Sequence, residues 1–218
     1  MRYIITPGVE IGSDESKIIY VLTMEQVNSY RELGYSCKER RYKVTINYRE
    51  YEIACTEIWK KGDTEHTVII PAFLLPRRGY PLDVYVYAIN LYCNEPKMSQ
   101  RSVAEATKKY FGLDKFAHTT IGRAMKKLSK IMCEYIEGQV GTMADGQMKK
   151  QEKDAQSDAT DKMGCKNKFP ILRDTQKRRE RIKKFLENKA DTKNRRRIME
   201  TCEQLVIWWY VQFEQLLI

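Results

Sequence analysis

Residues 98–132 read MSQRSVAEATKKYFGLDKFAHTTIGRAMKKLSKIM, and their pattern decides the fold expected for the middle of the chain. Ser99 is a typical N-cap, and the apolar positions after it recur at helical spacing until Gly112, which predicts a short helix. After a brief break, Thr119 or Thr120 can cap a second helix. Its inward stripe is predicted to consist of Ile121, Ala124, Met125, Leu128 and Met132.

The opposite side of this second helix is polar or cationic throughout. It comprises Thr119, Thr120, Arg123, Lys126, Lys127 and Lys130. The DNA major groove admits a helix, and an arginine such as Arg123 can address a guanine edge while lysines suit phosphates. The pattern therefore predicts a helix-turn-helix whose second helix binds DNA. A three-helix bundle with a basic solvent face is the alternative interpretation.

The net charge of +10 is concentrated in two segments. Residues 97–130 carry nine basic and two acidic side chains, and residues 171–200 carry twelve and five. A focused positive field favours a polyanionic partner, here double-stranded DNA. In the second segment we predict further DNA contacts, although a solvated helix face is an equally simple interpretation. These candidates are Lys177, Arg178, Arg181, Arg195 and Arg196.

The first 76 residues have the patterns of a small β-rich module. Residues 17–24 and the stretch TVIIP resemble strands, residues 40–59 alternate in part, and a short helix is expected to end at Gly34. We predict a small antiparallel sheet from these segments. Three prolines within residues 71–81 indicate an irregular connector, after which Pro81 begins a helix of apolar period.

The predicted class is α+β, with a small N-terminal antiparallel sheet, a three-helix helix-turn-helix domain, a linker and C-terminal α-helices. The expected divisions are residues 1–76, 80–136, a flexible linker over 137–170, and a basic helical arm over 171–218. The arm ends in LVIWWYVQFEQLLI, which is too short to span a bilayer. This apolar helix is expected to fold back on the protein, to form a homodimer or to dock a partner.

Neither a metal site nor a catalytic site is predicted. The six cysteines form no CxxC pair, and His66 and His118 have no nucleophile at a recognisable spacing. Isolated acids at helix starts or turns, such as Asp83 and Asp114, are explained better by capping than by catalysis. We therefore predict a protein without a cofactor that is not an enzyme. In the absence of a secretion signal its expected location is the cytoplasm.

The block from IIPAFLLPRRGYPLDVYVYAINLY to TTIGRAMKKL, within residues 40–132, resembles the DNA-binding portion of transposase-like proteins of bacterial mobile elements. The resemblance implies a zinc-ribbon-like module, a proline-rich connector and a helix-turn-helix. It makes Ser102 to Gly112 the supporting helix and His118 to Lys130 the recognition helix. The paired cysteines of such a ribbon are missing, since Cys55 and His66 alone lie near the corresponding places, with Cys37 upstream.

The expected function is therefore sequence-specific binding of double-stranded DNA through a helix-turn-helix. The chain would act as a regulator or as an accessory factor that marks element ends for a separate recombinase. The alternatives are a protein interaction module that uses the aromatic C-terminal helix, and a degenerate transposase. The candidate DNA-contacting residues of the helix-turn-helix are Ser102, His118, Thr119, Thr120, Arg123, Lys126, Lys127 and Lys130.

Overall fold

The computed structural model describes residues 1–11, 17–128, 179, 180, 182, 183, 186 and 194–218. The strands are β1 (Arg2–Thr6), β2 (Ile18–Tyr20), β3 (Ser36–Ile46), β4 (Arg49–Trp59) and β5 (Thr67–Pro71). The helices are α1 (Met24–Glu32), α2 (Leu82–Asn94), α3 (Gln100–Phe111), α4 (residues 118–128 as described) and α5 (Arg195–Phe213). Residues 179, 180, 182, 183 and 186 are helical as well. The predicted α+β class, with strands first and helices last, is confirmed. The expected linker over 137–170 lies outside the described residues.

The sheet is mixed, which corrects the prediction of an antiparallel one. β4 pairs along its whole length with β3 in antiparallel fashion. Its other edge is shared by β2, which is parallel to it, and β5, which is antiparallel. β1 then adds to β5 in parallel register, with Ile4 opposite Ile69. The parallel pairs join strands separated by long stretches of chain, so no local turn signal could announce them.

One continuous cluster of buried side chains runs through the sheet, the connector and the helices. The connector contributes Ala72, Phe73, Leu74 and Leu75, all of them buried. α2 is buried on most of its circumference, because it packs against both α3 and α5. The sheet face below it supplies the inward residues Val44, Ile46, Tyr51 and Ile53. Helix α1 instead contacts β3 on the opposite face, where the Cys37 sulfur lies 3.9 Å from the Val27 carbonyl oxygen.

The β3–β4 hairpin fastens the sheet to α3. Its two turn residues, Asn47 and Tyr48, have φ angles of 50° and 57°. Their backbone N–H groups donate to the carbonyl oxygens of Phe111 and Gly112, at 3.0 Å and 2.6 Å. Both acceptors are C-terminal carbonyls that a helix leaves without an internal partner. The hairpin turn therefore caps α3 and sets where the following segment begins.

Replacing Gly112 by alanine is expected to lower the unfolding free energy by about 2 kcal/mol. Gly112 has a φ of 59°, in the left-handed region, and an added Cβ would lie 2.9 Å from the Tyr48 ring and 3.2 Å from the Asn47 backbone. Urea denaturation of parent and variant measures the loss. Gly62→Ala is the control, because Gly62 has a φ of 98° and no atom within 4 Å of an added Cβ. Equal losses in the two variants would contradict a tight contact between hairpin and helix.

Candidate nucleic-acid interface

α4 has one buried side and one exposed side, as the sequence pattern predicted for its described part. Its buried residues are Ile121, Ala124, Met125 and Leu128. Its exposed residues are Thr119, Arg123, Lys126 and Lys127, and His118 and Thr120 are half-buried. The core holds the apolar stripe in place, so the polar and cationic side faces solvent. Lys130 lies outside the described residues.

The start of α4 differs from the prediction. The helix begins at His118, so Thr119 and Thr120 belong to its first turn and neither is its N-cap. The Thr120 N–H donates to the Ala117 carbonyl oxygen at 2.9 Å. Phe116 and Ile121 are both buried, and they stand at the two positions of a hydrophobic staple around this helix start. The staple fixes the direction in which α4 leaves the turn.

Contacts on both sides hold the segment between α3 and α4. The Tyr80 hydroxyl donates to the Lys115 carbonyl oxygen, and the Tyr80 and Phe116 rings lie 5.6 Å apart. At the other side, the Gln100 amide lies against the backbone of Gly122, where an added Cβ would be 3.3 Å from the Gln100 Oε1 atom. The first turns of α3 and α4 are therefore close neighbours.

Ser102 lies on the exposed side of α3, in its first turn. As predicted, Ser99 caps this helix, because its hydroxyl oxygen accepts a hydrogen bond from the Ser102 N–H at 3.1 Å. The two serine hydroxyls are 2.9 Å apart. Ser102 thus participates in the cap of α3 while its side chain remains accessible.

The exposed side of α4 is electrostatically positive. The sequence contains no acidic residue from Lys115 to Cys133. Within the described residues, no carboxylate lies within 4.0 Å of the Arg123 or Lys127 nitrogen atoms. Partial burial and the charge of Arg78 lower the pKa of Lys127. As far as the structure describes the chain, Arg123 is therefore an uncompensated cation that attracts phosphate groups, whereas Lys127 lines a cleft with Glu214 at the end of α5.

The predicted contacts of the basic arm divide into two groups. Lys177, Arg178 and Arg181 lie outside the described residues. Arg195 and Arg196 stand at the start of α5 and line a cleft of about 560 Å³ beside the hairpin, together with three glutamates. Arg196 is 81% exposed and pairs with Glu200 at 3.3 Å. The carboxylates give this cleft a mixed charge, unlike the exposed side of α4.

Arg195 makes its contacts within the protein. Its Nη1 atom donates to the Asn47 Oδ1 atom at 2.8 Å, its Nε atom is 4.0 Å from the Asp83 carboxylate, and its guanidinium lies 5.3 Å from the centre of the Phe111 ring. It therefore joins α5 to the hairpin turn, to α2 and to α3. We attribute a structural role to Arg195 and leave it out of the candidate DNA surface.

Asp83 is buried, although the sequence suggested a capping acid. It stands in the first turn of α2 with a fully buried side chain. The described residues supply no hydrogen bond of normal geometry to either carboxylate oxygen. Burial raises the pKa of Asp83 to about 7, against the lowering effects of the Arg195 charge and the nearby backbone N–H groups. Asp83 and Arg195 thus form a long ion pair between α2 and α5.

The aromatic C-terminal helix folds back on the core, which was one of the three expected arrangements. Trp209 is 1% exposed, and Leu205, Val206 and Leu217 are buried around it. The Tyr210 hydroxyl accepts a hydrogen bond from the Tyr3 backbone N–H of β1 at 3.2 Å. Within the described part of the chain, none of the helices combines the length and apolar character needed to cross a membrane.

The region near Cys55 and His66 has the character of packed structure. Cys55 is fully buried, and burial raises its pKa to about 12. The His66 Nδ1 atom is 2.8 Å from the buried Glu57 carboxylate, and its ring stacks on Trp59 at 4.7 Å. Among the described residues there is no group of three histidine, cysteine or acidic side chains that could hold a metal ion.

Comparison of the chain with protein-family models, with curated proteins and with solved structures finds no match. What the protein does must therefore be inferred from its own residues.

Proposed function

We propose that this chain binds double-stranded DNA by placing α4 in the major groove. Arg123 would address base edges, since it stands one turn from the helix start, and Lys126 and Lys127 would contact phosphates. His118, Thr119 and Thr120 would approach the groove with the first turn, and Ser102 would contact the backbone from α3. On this proposal the chain is a regulator or accessory factor of a bacterial mobile element, as the resemblance of residues 40–132 implies.

The observation that carries this proposal is the two-sided character of α4. Its apolar stripe is buried, which fixes the helix, and its opposite side exposes Thr119, Arg123, Lys126 and Lys127. Exposed helices usually mix glutamate with lysine, because such pairs stabilise the helix. The exposed side of α4 contains no acidic residue of its own and is instead complementary to a polyanion. Its short threonines at the helix start leave room for the approach of a base edge.

Replacing Arg123 and Lys126 together by alanine is expected to weaken duplex binding by more than tenfold. Each loses one charge-assisted contact, and alanine preserves the helix because its helix propensity is higher than that of either residue. Fluorescence anisotropy with a labelled duplex, over a series of salt concentrations, measures the dissociation constant. Selection of bound sequences from a random duplex pool supplies the duplex and shows whether the site is palindromic, as a dimer would require.

The matched control is Arg41→Ala with Lys43→Ala, which removes the same charge from β3. These two exposed residues pair with Glu39, Glu52 and Glu50 on the sheet face opposite to the one that carries Val44 and Ile53. This control is expected to bind the duplex within about twofold of the parent, since surface ion pairs contribute little. Unchanged binding by the Arg123 and Lys126 variant would remove α4 from the interface. Equal weakening by both variants would mean that the loss of net charge alone explains the weaker binding.

A further inference from the structure

The connector loop, Pro76 to Gly79, is a rigid part of the protein despite its irregular backbone. The Arg78 N–H donates to the Leu75 carbonyl oxygen at 3.0 Å, which closes a β-turn around Pro76 and Arg77. The Gly79 carbonyl oxygen accepts from the Thr45 N–H of β3 at 2.8 Å. The residue before the loop, Leu75, is fully buried in the core. The loop is thus fixed at both of its ends.

Arg77 occupies a position in this turn that glycine would fill with less strain. Its φ is 65°, in the left-handed region. Arg77 follows Pro76 and is the third residue of the turn. A positive φ at the third position defines a type II turn, and this position strongly favours glycine. The side chains of Arg77 and Arg78 are both exposed, so packing does not explain either one. A strained arginine with an exposed side chain points to a use for its charge.

The connector loop lies beside α4. Tyr80, which follows the loop, donates its hydroxyl hydrogen bond to Lys115 in the segment that leads into α4. Arg78 is close enough to Lys127 for its positive charge to act on that amine. Across the described residues, no carboxylate lies within 4.0 Å of the Arg77 or Arg78 guanidinium. Two elements that are distant in the sequence therefore present cations side by side.

We propose that Arg77 and Arg78 form a second contact with double-stranded DNA, in which they bind backbone phosphates next to the groove that α4 enters. This inference rests on the proposed function of α4 and adds the connector loop to its interface. The connector loop lies beside α4 and is short, so it would remain outside the groove that α4 enters. Its contacts are therefore with phosphates and not with base edges. Phosphate contacts position a protein on the duplex and set its affinity without reading sequence.

The test is the double variant Arg77→Gly with Arg78→Gln. Glycine is favoured at the Arg77 position of the turn, so the variant removes two charges while the loop keeps its shape. We expect the affinity for the selected duplex to fall by at least tenfold at low salt. The slope of log affinity against log salt concentration is expected to decrease in magnitude by about 2, since each phosphate contact contributes roughly 0.9. The preferred sequence should not change.

The control variant, Arg41→Gln with Lys43→Gln, also removes two charges and is expected to keep the parental slope. Thermal unfolding of each variant confirms that it is folded, and the single variants Arg77→Gly and Arg78→Gln replace the double variant if it is not. If the parent binds duplex and the double variant keeps the parental affinity and slope, the proposed contact of the connector loop is refuted. The proposed contact of α4 would then still stand. Should the parent itself not bind duplex, the proposed function fails. A changed sequence preference would overturn the assignment to phosphates.

Discussion

Replacing Asp83 by asparagine is expected to stabilise the protein above pH 7 and to leave its stability near pH 4 unchanged. The fully buried carboxylate has a pKa of about 7 in the folded protein. An unfolded aspartate has a pKa of about 3.9. At a pH between these two pKa values, Asp83 keeps its proton in the folded protein and loses it in the unfolded chain. The unfolding free energy therefore falls as the pH rises through this window, by about 4 kcal/mol in all.

The environment of Asp83 explains why its neutral form is favoured. The titratable groups that face it come from α5: Arg195, whose Nε atom is 4.0 Å away, and the neutral thiol of Cys202, whose pKa is raised by burial and further by Asp83. A separation of 4.0 Å and a missing hydrogen bond leave the carboxylate charge poorly compensated for its loss of water. Asparagine has nearly the same shape and no charge, so it resembles the protonated form.

The measurement is urea denaturation of the parent and of Asp83→Asn between pH 4 and pH 8. Other carboxylates titrate equally in both proteins, so the difference between the two curves isolates Asp83. That difference is expected to grow from near zero to several kcal/mol in favour of the variant. Glu32→Gln, at an exposed position at the end of α1, serves as the control and should show no such growth. A variant that is less stable than the parent at pH 8 would mean that the ion pair with Arg195 stabilises the fold.

The helices of the middle segment were predictable because their signals are local. Ser99 caps α3 and Gly112 ends it in the left-handed conformation, as the sequence indicated. The spacing of Ile121, Met125 and Leu128 correctly predicted which side of α4 is buried. Caps and helical periodicity depend on residues within a few positions of one another, so one sequence contains the information. The exposed cationic side of α4 followed from the same periodicity.

The sheet was harder to predict because its pairings are distant in the chain. β1 was missed, although Tyr3, Ile4 and Ile5 are typical strand residues, because its partner lies more than sixty positions away. The turn between β3 and β4 was also missed. Asn47 and Tyr48 both have positive φ values there, and a tyrosine gives no turn signal where glycine normally would. The contacts that these turn residues make with α3 stabilise their conformation.

The basic residues of the arm show a different limit of sequence reasoning. Arg195 and Arg196 are adjacent in one basic run, yet one contacts Asp83 and Asn47 while the other pairs with Glu200 in solvent. The sequence does not distinguish them, because the difference arises from where α5 docks. Arg77 and Arg78 were not among the predicted DNA contacts, because their segment was interpreted as an irregular connector. Their position beside α4 becomes visible only in three dimensions.

Replacing Trp209 by alanine is expected to lower the unfolding free energy by about 3–5 kcal/mol. Trp209 is 1% exposed and packs against Phe213 with ring centres 4.4 Å apart. The neighbouring Trp208 is 39% exposed. Trp208→Ala is therefore the matched control, since it removes the same side chain from the same helix and should cost less because more of that side chain is already exposed. Urea denaturation at two protein concentrations measures both losses and separates folding from association.

The contrast between the two tryptophans decides what the C-terminal helix is for. If α5 is part of the core, Trp209→Ala destabilises the monomer, and its midpoint does not depend on protein concentration. Trp209→Phe retains much of the buried area and is expected to cost less than the alanine variant, so it provides a folded protein if Trp209→Ala fails to fold. If the helix instead covers a second copy of the chain, the unfolding midpoint of the parent depends on protein concentration. Trp208→Ala would then change that dependence more than Trp209→Ala does. Equal, small losses in both variants would mean that α5 is not docked, and the ion pair of Arg195 with Asp83 would then have no structural role.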